Sequence, residues 1–241
     1  FIATFWNSCA HGNGAAVKLA GYWKDHKWNR LEMPTATVSA SGAPGISPDG
    51  HYIIGHIEEG GKYIGYVWKD GKIYKKLQDK NGVSMPYAIS PDGQHVGGWV
   101  QDKNRQACIW DVSTGAYTIT DYESPWSSGR KFTPDGKTLL YFGGWQQDGD
   151  RYGANALYDV ATGTSSLVYP VNDQDGFDFF DISNKNTVMC ENSELGCIYQ
   201  DGKSSYAYQY LRDKGVNLAD YHVFVNPDGP TDSDGQTLYQ I

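Results

Sequence analysis

The sequence predicts an all-β fold: a β-propeller of four-stranded antiparallel blades, with one short helix near the C-terminus. A recurring turn, an aromatic residue that recurs in step with it, and the composition all favour this fold. Of 241 residues, 29 are Gly, 18 are Tyr and 8 are Trp, while only 20% are charged. Such a composition is typical of many short strands joined by tight turns.

The recurring turn reads ISPDG at residues 46–50 and 89–93, and FTPDG at residues 132–136. Pro sets φ for the second position of a type I turn, Asp suits the third, and Gly accepts the left-handed fourth. The motif therefore predicts a hairpin corner every 43 residues. We expect its carboxylates to be structural rather than catalytic: Asp49, Asp92 and Asp135.

A second column of residues supports the same register. Weaker copies of the turn at residues 182–186 and 232–235 bring the corners to five. Each unit also places an aromatic residue at one equivalent strand position: Trp23, Trp68, Trp110, Tyr158 and Tyr199. Because this spacing follows the repeat, we expect the column to pack between blades and not to bind a ligand.

Each unit contains four short strand patterns. In the best-defined unit they are residues 86–90, 94–100, 107–112 and 116–120. Four antiparallel strands per repeat of 40 to 50 residues predict a propeller blade, because one such sheet buries both faces only when neighbours stack on it.

The chain ends are expected to share one blade. Strand patterns at residues 1–7, 15–23 and 27–33 lack a preceding turn, and the C-terminus offers a turn without an aromatic strand. We therefore predict one propeller domain over residues 1–241, its ring closed by N- and C-terminal strands. Five blades are favoured. Six blades or an incomplete ring stay open, because both chain ends fit the same strand.

One segment breaks the strand pattern. Tyr206, Tyr210 and Leu211 have helical spacing, and Gly215 can stop a helix. We predict a helical insertion over residues 205–215.

With these residues in view, the chain resembles the bacterial HAF-type extracellular repeat proteins, relatives of the TolB-like propellers with S-P-D-G turns. The resemblance rests on AISPDGQHVGG (88–98), GYVWKDGKIYKKL (65–77) and YQYLRDKGVNLADY (208–221). It implies a propeller that is secreted or associated with the bacterial cell envelope, without catalysis of its own, and it transfers no active site. The chain departs from the family pattern after the third turn: the interval from Thr133 to Ser183 is 50 residues, and the turn at residues 183–186 reads SNKN.

Charge and cysteine spacing argue against several classes of partner and cofactor. A net charge of −8 without a Lys/Arg cluster argues against nucleic acid binding. No apolar run is long enough to span a membrane. Because the chain opens at Phe1 without a signal segment, we expect a signal or anchor to be missing from this fragment. No cofactor is predicted. Cys190 and Cys197 can face each other across a hairpin, as a disulfide or as two buried thiols.

The loops opposite the corners are expected to form the binding face. They are residues 7–14, 33–45, 79–86, 121–130, 145–153 and 170–179. Trp126, with Tyr122 and Glu123 just before it, is either a platform for a sugar or peptide or an anchor for its loop.

Further candidates on this face flank the fourth blade: Trp145, Asp150, Arg151 and Asp178. Clustered acidic residues can bind calcium, but neither the loop at residues 145–153 nor the loop at residues 170–179 matches the EF-hand pattern, so no metal is predicted. The favoured function is a non-catalytic module that binds a protein, peptide or carbohydrate. The alternative is a carbohydrate-active hydrolase or lyase with Glu123, Asp150 and Asp178 at the channel mouth.

Overall fold

The computed structural model describes residues 6–10, 16–34, 40–120, 126–147, 150–168, 177–192 and 195–217. These residues form 19 strands and one short helix. The strands assemble in chain order into five antiparallel units, which we call blades. The all-β fold is confirmed, and so is the helix near the C-terminus. Closure of the ring stays a prediction, because residues 1–5 and 218–241 lie outside the described residues.

The first two blades are joined at one point. The first contains β1 (Trp6–Ala10), β2 (Ala16–Lys24) and β3 (Lys27–Arg30). The second contains β4 (Ala40–Ile46), β5 (Tyr52–Glu59), β6 (Lys62–Lys69) and β7 (Lys72–Lys76). A single parallel pair, Lys18 with Ala40, links β2 to β4, so these two blades form one seven-stranded sheet.

The other three blades are separate four-stranded antiparallel sheets. The third contains β8 (Ser84–Ile89), β9 (His95–Gln101), β10 (Arg105–Asp111) and β11 (Tyr117–Ile119). The fourth contains β12 (Ser128–Phe132), β13 (Thr138–Gln147), β14 (Asp150–Asp159) and β15 (Thr164–Val168). The fifth contains β16 (Phe177–Ile182), β17 (Val188–Asn192), β18 (Leu195–Gln200) and β19 (Lys203–Tyr206), followed by α1 (Ala207–Asp213).

The repeated corners have the predicted structural role. In the first, the Ser47 hydroxyl donates to Asp49 Oδ1 at 2.5 Å, and Asp49 Oδ1 also accepts the His51 N–H at 3.0 Å. Gly50 has a φ of 75°, as the left-handed fourth position requires. The same bonds recur at Asp92 and Asp135. The hydrogen bond from Ser47, then that from the His51 backbone, lowers the pKa of Asp49.

The core lies between blades rather than within them. Four clusters of buried residues each combine side chains from two consecutive blades. Adjacent residues Ile53 and Ile54 of β5 belong to different clusters, because successive side chains of a strand point to opposite faces. Each blade is thus held by its neighbours, which is the defining property of radial repetition.

The aromatic column fastens each blade to the one before it. Trp68 Nε1 donates to the Glu32 carbonyl at 2.7 Å, and Trp110 Nε1 donates to the Gln78 carbonyl at 2.9 Å. Both indoles are fully buried. Trp23 is the exception to the predicted packing, since it is 40% exposed. It belongs to the first of the described blades, so its described contacts come from its own blade and the next one.

A buried serine forms a second link between blades. The hydroxyl oxygens of Ser41, Ser84 and Ser127 accept the backbone N–H groups of Ala20, Gly65 and Ala107, each at 2.7 Å. The three serines are 43 residues apart and are almost wholly excluded from solvent. Each therefore satisfies a backbone donor on the third strand of the preceding blade.

Parts of the predicted loops are strands. Residues 7–10 pair with β2, and residues 40–45 belong to β4. The ends of the other predicted loops also belong to strands: residues 84–86, 128–130, 145–147, 150–153 and 177–179. The first strand of each of these blades is short, and β4, β8 and β12 each contain Ser, Gly or Pro around a β-bulge. Because these residue types are typical of loops, the sequence pattern predicted loop where these strands begin.

Candidate functional site

The turns between second and third strands and the connections between blades lie at one end of the blades, which we call the loop-rich face. Lys80, in the connection before β8, binds Asp102 of the β9–β10 turn, with Nζ 2.6 Å from Oδ2. Asn81 donates to the Gln101 carbonyl at 3.2 Å. The hydrogen bond to Asp102 raises the pKa of Lys80. These contacts confirm that the two kinds of loop meet, as the candidate binding face requires.

Trp126 lies at this face over an arginine of the preceding blade. Its side chain is 44% exposed. The guanidinium carbon Cζ of Arg105 lies 5.0 Å from the centroid of the Trp126 ring. Backbone contacts fix the position: Trp126 forms a parallel bridge with Arg105, and the Ser127 N–H donates to the Arg105 carbonyl at 3.3 Å. Trp126 is therefore held in place and still offers indole surface to solvent.

The same guanidinium lies over a second indole. Arg105 Cζ is 4.5 Å from the centroid of Trp99, a buried residue of β9. Trp99 Nε1 is 3.5 Å from the Tyr87 hydroxyl, and Arg130 Cζ lies 4.4 Å from the centroid of the Tyr87 ring. These contacts connect five residues, which we call the aromatic–arginine cluster: Tyr87, Trp99, Arg105, Trp126 and Arg130.

Two β-bulges position two members of this cluster, Tyr87 and Arg130. Tyr87 falls outside the β8–β9 register between Pro86 and Ala88, and Arg130 falls outside the β12–β13 register between Gly129 and Lys131. Gly98 permits the first bulge, because a Cβ there would lie 2.1 Å from the Met85 carbonyl oxygen. The bulges re-aim Tyr87 and Arg130 at equivalent points of consecutive first strands.

The second blade places different chemistry at the equivalent positions. His56 and Tyr63 occupy the places of Trp99 and Arg105, with ring centroids 5.3 Å apart in an edge-to-face contact. His56 is buried, and burial lowers its pKa. The second blade therefore has a buried imidazole and a tyrosine where the third blade has an indole and a guanidinium.

The structure locates the other predicted site residues only in part. Tyr122 and Glu123 lie outside the described residues. The remaining four are described by backbone position: Trp145, Asp150, Arg151 and Asp178. The first three flank the turn between β13 and β14, where Gln146 pairs with Arg151, and Asp178 pairs with Glu191 near the start of β16. Since first strands begin where that turn lies, all four belong to the loop-rich face.

The β13–β14 hairpin is longer than its counterparts. It continues as a two-stranded ribbon over residues 143–147 and 150–154, past the last residues that pair with β12 and β15. In the corresponding β5–β6 and β9–β10 hairpins, the second strand ends only one residue past its last pair with the first strand, at Glu59 and Gln101. Most of the lengthened interval in the sequence is therefore an extension of one hairpin at the loop-rich face: Tyr158 follows Thr133 by 25 residues, whereas Trp110 follows Ser90 by 20.

Sequence reasoning missed four members of the cluster, although a signal for two was present. Tyr87 and Arg130 stand three residues before the Ser or Thr of their turns, where the other units have Pro44 and Phe180. A position that changes in every unit of a regular repeat is free of the packing role. Trp99 and Arg105 gave no comparable signal, because their contact depends on the β9–β10 register.

Within the described part of the chain, no group of three or more His, Cys, Asp or Glu side chains is placed to hold a metal ion. No described helix is long and apolar enough to cross a membrane. An open groove of about 650 Å³ lies between the first two blades, lined by Tyr22, Trp28, Arg30, Glu32 and Lys72 among others, and contains none of the predicted site residues. Cys190 and Cys197 are register partners on β17 and β18, as predicted.

No protein-family model matches the chain, and no curated protein matches it. Solved structures do. A TolB protein from Agrobacterium tumefaciens is similar with a TM-score of 0.57 and 14% identity, covering 85% of this chain and 80% of that one. TolB from Acinetobacter baumannii gives a TM-score of 0.52 and 16% identity, covering 78% and 47%. Dipeptidyl peptidase 4 from Porphyromonas gingivalis gives a TM-score of 0.52 and 14% identity, and the match covers 83% of this chain and 37% of that one. At these identities the likeness shows the fold alone, and that fold is a TolB-like β-propeller.

Proposed function

We propose that this propeller is a non-catalytic binding module whose loop-rich face holds a protein, peptide or glycan partner. The aromatic–arginine cluster is the observation that carries the proposal. It presents an exposed indole, Trp126, and an exposed guanidinium, Arg105, on a rigid scaffold. Trp, Tyr and Arg are the residues that dominate binding energy at protein interfaces, because they offer large rigid contact area and directional donors.

The predicted residues around the cluster would extend this surface. Tyr122 and Glu123 precede Trp126 in the chain, and the β13–β14 ribbon with Trp145, Asp150 and Arg151 comes from the same blade that Trp126 introduces. Asp178 would border it from the fifth blade. A secreted or envelope-associated location in a bacterium is part of the proposal. The resemblance to the extracellular repeat proteins and the TolB-like fold support it.

The proposal is tested by comparing ligand binding by the wild type with binding by one tryptophan variant and one tyrosine variant. Wild type, Trp126→Ala and Tyr74→Ala would be applied to a glycan array and to an array of short synthetic peptides. Tyr74 is the matched control, because it is 46% exposed but lies on β7, the outer strand of the second blade. We expect Trp126→Ala to weaken binding roughly tenfold and Tyr74→Ala to leave it within about twofold.

Two outcomes contradict the proposal. Equal binding by both variants would place the ligand away from Trp126. Release of reducing sugar from a captured glycan would show catalysis and favour the hydrolase or lyase alternative.

A further inference from the structure

We propose that the aromatic–arginine cluster recognises carboxylates of an acidic peptide segment of a protein partner. Arg105 would bind one carboxylate at the loop-rich face, and Arg130 would bind a second further along β12, the first strand of the fourth blade. This inference rests on the proposed function and specifies its ligand.

The placement of Arg105 suits it to bind an anion. Its guanidinium carbon lies over the rings of Trp99 and Trp126. A guanidinium that stacks on an aromatic ring uses one of its flat faces, and its five N–H donors, which lie in its plane, can then still bind an anion. A carboxylate can accept two of these donors in parallel, which is the geometry that arginine offers and lysine does not. The flanking indoles also hold the long side chain in place, so less conformational entropy is lost on binding.

The carboxylates described near the cluster are already engaged elsewhere. Asp102, three residues before Arg105, binds Lys80 at 2.6 Å. Asp181 of β16 lies 3.5 Å from Lys131, the residue after Arg130. Across the described ranges, neither Arg105 nor Arg130 has an Asp or Glu within ion-pairing distance. In a chain with a net charge of −8, this site offers local positive charge.

Backbone geometry favours a peptide over an acidic sugar. β8 and β12 are edge strands of their sheets, and Tyr87 and Arg130 are the bulge residues that fall outside the ladder. Edge strands and bulges present backbone N–H and C=O groups that an extended peptide can pair with. Recognition of a strand by such an edge, with side-chain pockets supplying specificity, is a common mode of peptide binding.

The test uses short synthetic peptides in matched pairs, each acidic peptide with a partner in which amides replace the carboxylates. Isothermal titration calorimetry would measure the affinity of each peptide. Oligogalacturonate would be titrated in the same way, as the acidic sugar with which the peptides are compared. We expect the acidic member to bind roughly tenfold tighter than its amide partner, and its advantage to shrink at high salt. Arg105→Ala should remove most of that advantage, and Arg130→Ala should reduce it.

Two further variants sharpen the result. Arg105→Lys keeps the charge but loses the planar donor pair, so we expect it to bind several-fold more weakly than the wild type. Arg212→Ala on α1 makes the same change of charge at an exposed position outside the cluster and should bind like the wild type. Urea unfolding midpoints would confirm that each variant is folded.

Three outcomes would overturn the inference. They are equal affinity for acidic and amide peptides, wild-type affinity in Arg105→Lys, and binding of oligogalacturonate without binding of any acidic peptide. If the amide peptides bind equally well and Trp126→Ala still abolishes binding, the proposed function stands and only the carboxylate preference fails. If Trp126→Ala has no effect on any ligand, the proposed function fails as well.

Discussion

At the scale of single residues, small polar side chains hold the backbone in the shape that the blades need. The third and fourth strands of two blades are joined by a turn in which one Asp accepts several bonds. Asp111 Oδ1 accepts the Ser113 hydroxyl at 2.5 Å and the Thr114 N–H at 2.8 Å. Asp159 Oδ1 accepts the equivalent Thr162 N–H at 2.8 Å and also the Thr162 hydroxyl at 3.0 Å. These acids and the buried serines that link blades act on the backbone rather than on a ligand.

The buried serines should each contribute more to the free energy of unfolding than a small side chain usually does. Ser84→Ala would leave the Gly65 N–H without its acceptor inside a buried contact. We expect a loss of about 1–3 kcal/mol in the free energy of unfolding, and a similar loss for Ser127→Ala. Urea unfolding monitored by circular dichroism measures both. Ser166→Ala, at an exposed position of β15, is the control and should change stability by less than about 0.5 kcal/mol.

Asp111 should confer stability that depends on pH. The hydrogen bond from Ser113, followed by that from the Thr114 backbone, lowers its pKa from 3.8 to about 2. A lowered pKa in the folded state stabilises the fold above the unfolded value of 3.8 and loses that effect as pH falls towards 2. Asp111→Asn keeps an acceptor oxygen but removes the charge.

We therefore expect Asp111→Asn to be less stable than the wild type at pH 7, by less than about 1 kcal/mol because the site is exposed. The difference should disappear between pH 4 and pH 2. Thermal unfolding of both proteins across this range is the measurement. A difference that stays constant with pH would show that the charge of Asp111 has no part in the turn.

At the scale of strands and blades, the contacts between consecutive units carry the stability. Trp110→Phe would remove the bond from Nε1 to the Gln78 carbonyl and leave space in the cluster shared by the second and third blades. We expect a loss of about 2–4 kcal/mol. Trp23→Phe is the matched control, because Trp23 has the equivalent place in the first blade but is 40% exposed.

Trp23→Phe should cost less than about 1 kcal/mol in the same urea experiment. A cost equal to that of Trp110→Phe would show that another part of the chain covers Trp23 in solution.

The sequence predicted the corners, the aromatic column and the helix, and missed the contacts that depend on how two blades meet. The ISPDG corners were predictable because Pro, Asp and Gly each suit one position of the turn, and the aromatic column was predictable because burial between blades recurs with the repeat. The beginnings of the first strands were assigned to loops, because the residues around their bulges are small, such as Gly42 and Gly129. The meeting of Arg105 with Trp126 could not be predicted, because it joins residues of two blades whose register is set by packing.

At the scale of the whole molecule, the shared cores predict cooperative unfolding. Ile182 belongs to the fifth blade, which contains no Trp, and packs in the cluster that also holds Leu140 of the fourth. We expect Ile182→Ala to lower the urea midpoint seen by tryptophan fluorescence and by circular dichroism to the same extent, with a loss of about 2–5 kcal/mol. A fluorescence midpoint that stays at the wild-type value would mean that the fifth blade unfolds separately.

The 43-residue spacing of the buried serines has a consequence for how such a chain can grow. Ser41, Ser84 and Ser127 each join a unit only to its immediate predecessor, through the same backbone donor of the same strand. A tandem duplication of any segment that starts and stops at this joint would therefore present every copy with a compatible docking surface. The fold can lengthen by copying whole modules in the gene, and new recognition chemistry can then arise in one copy while its siblings keep the original joint.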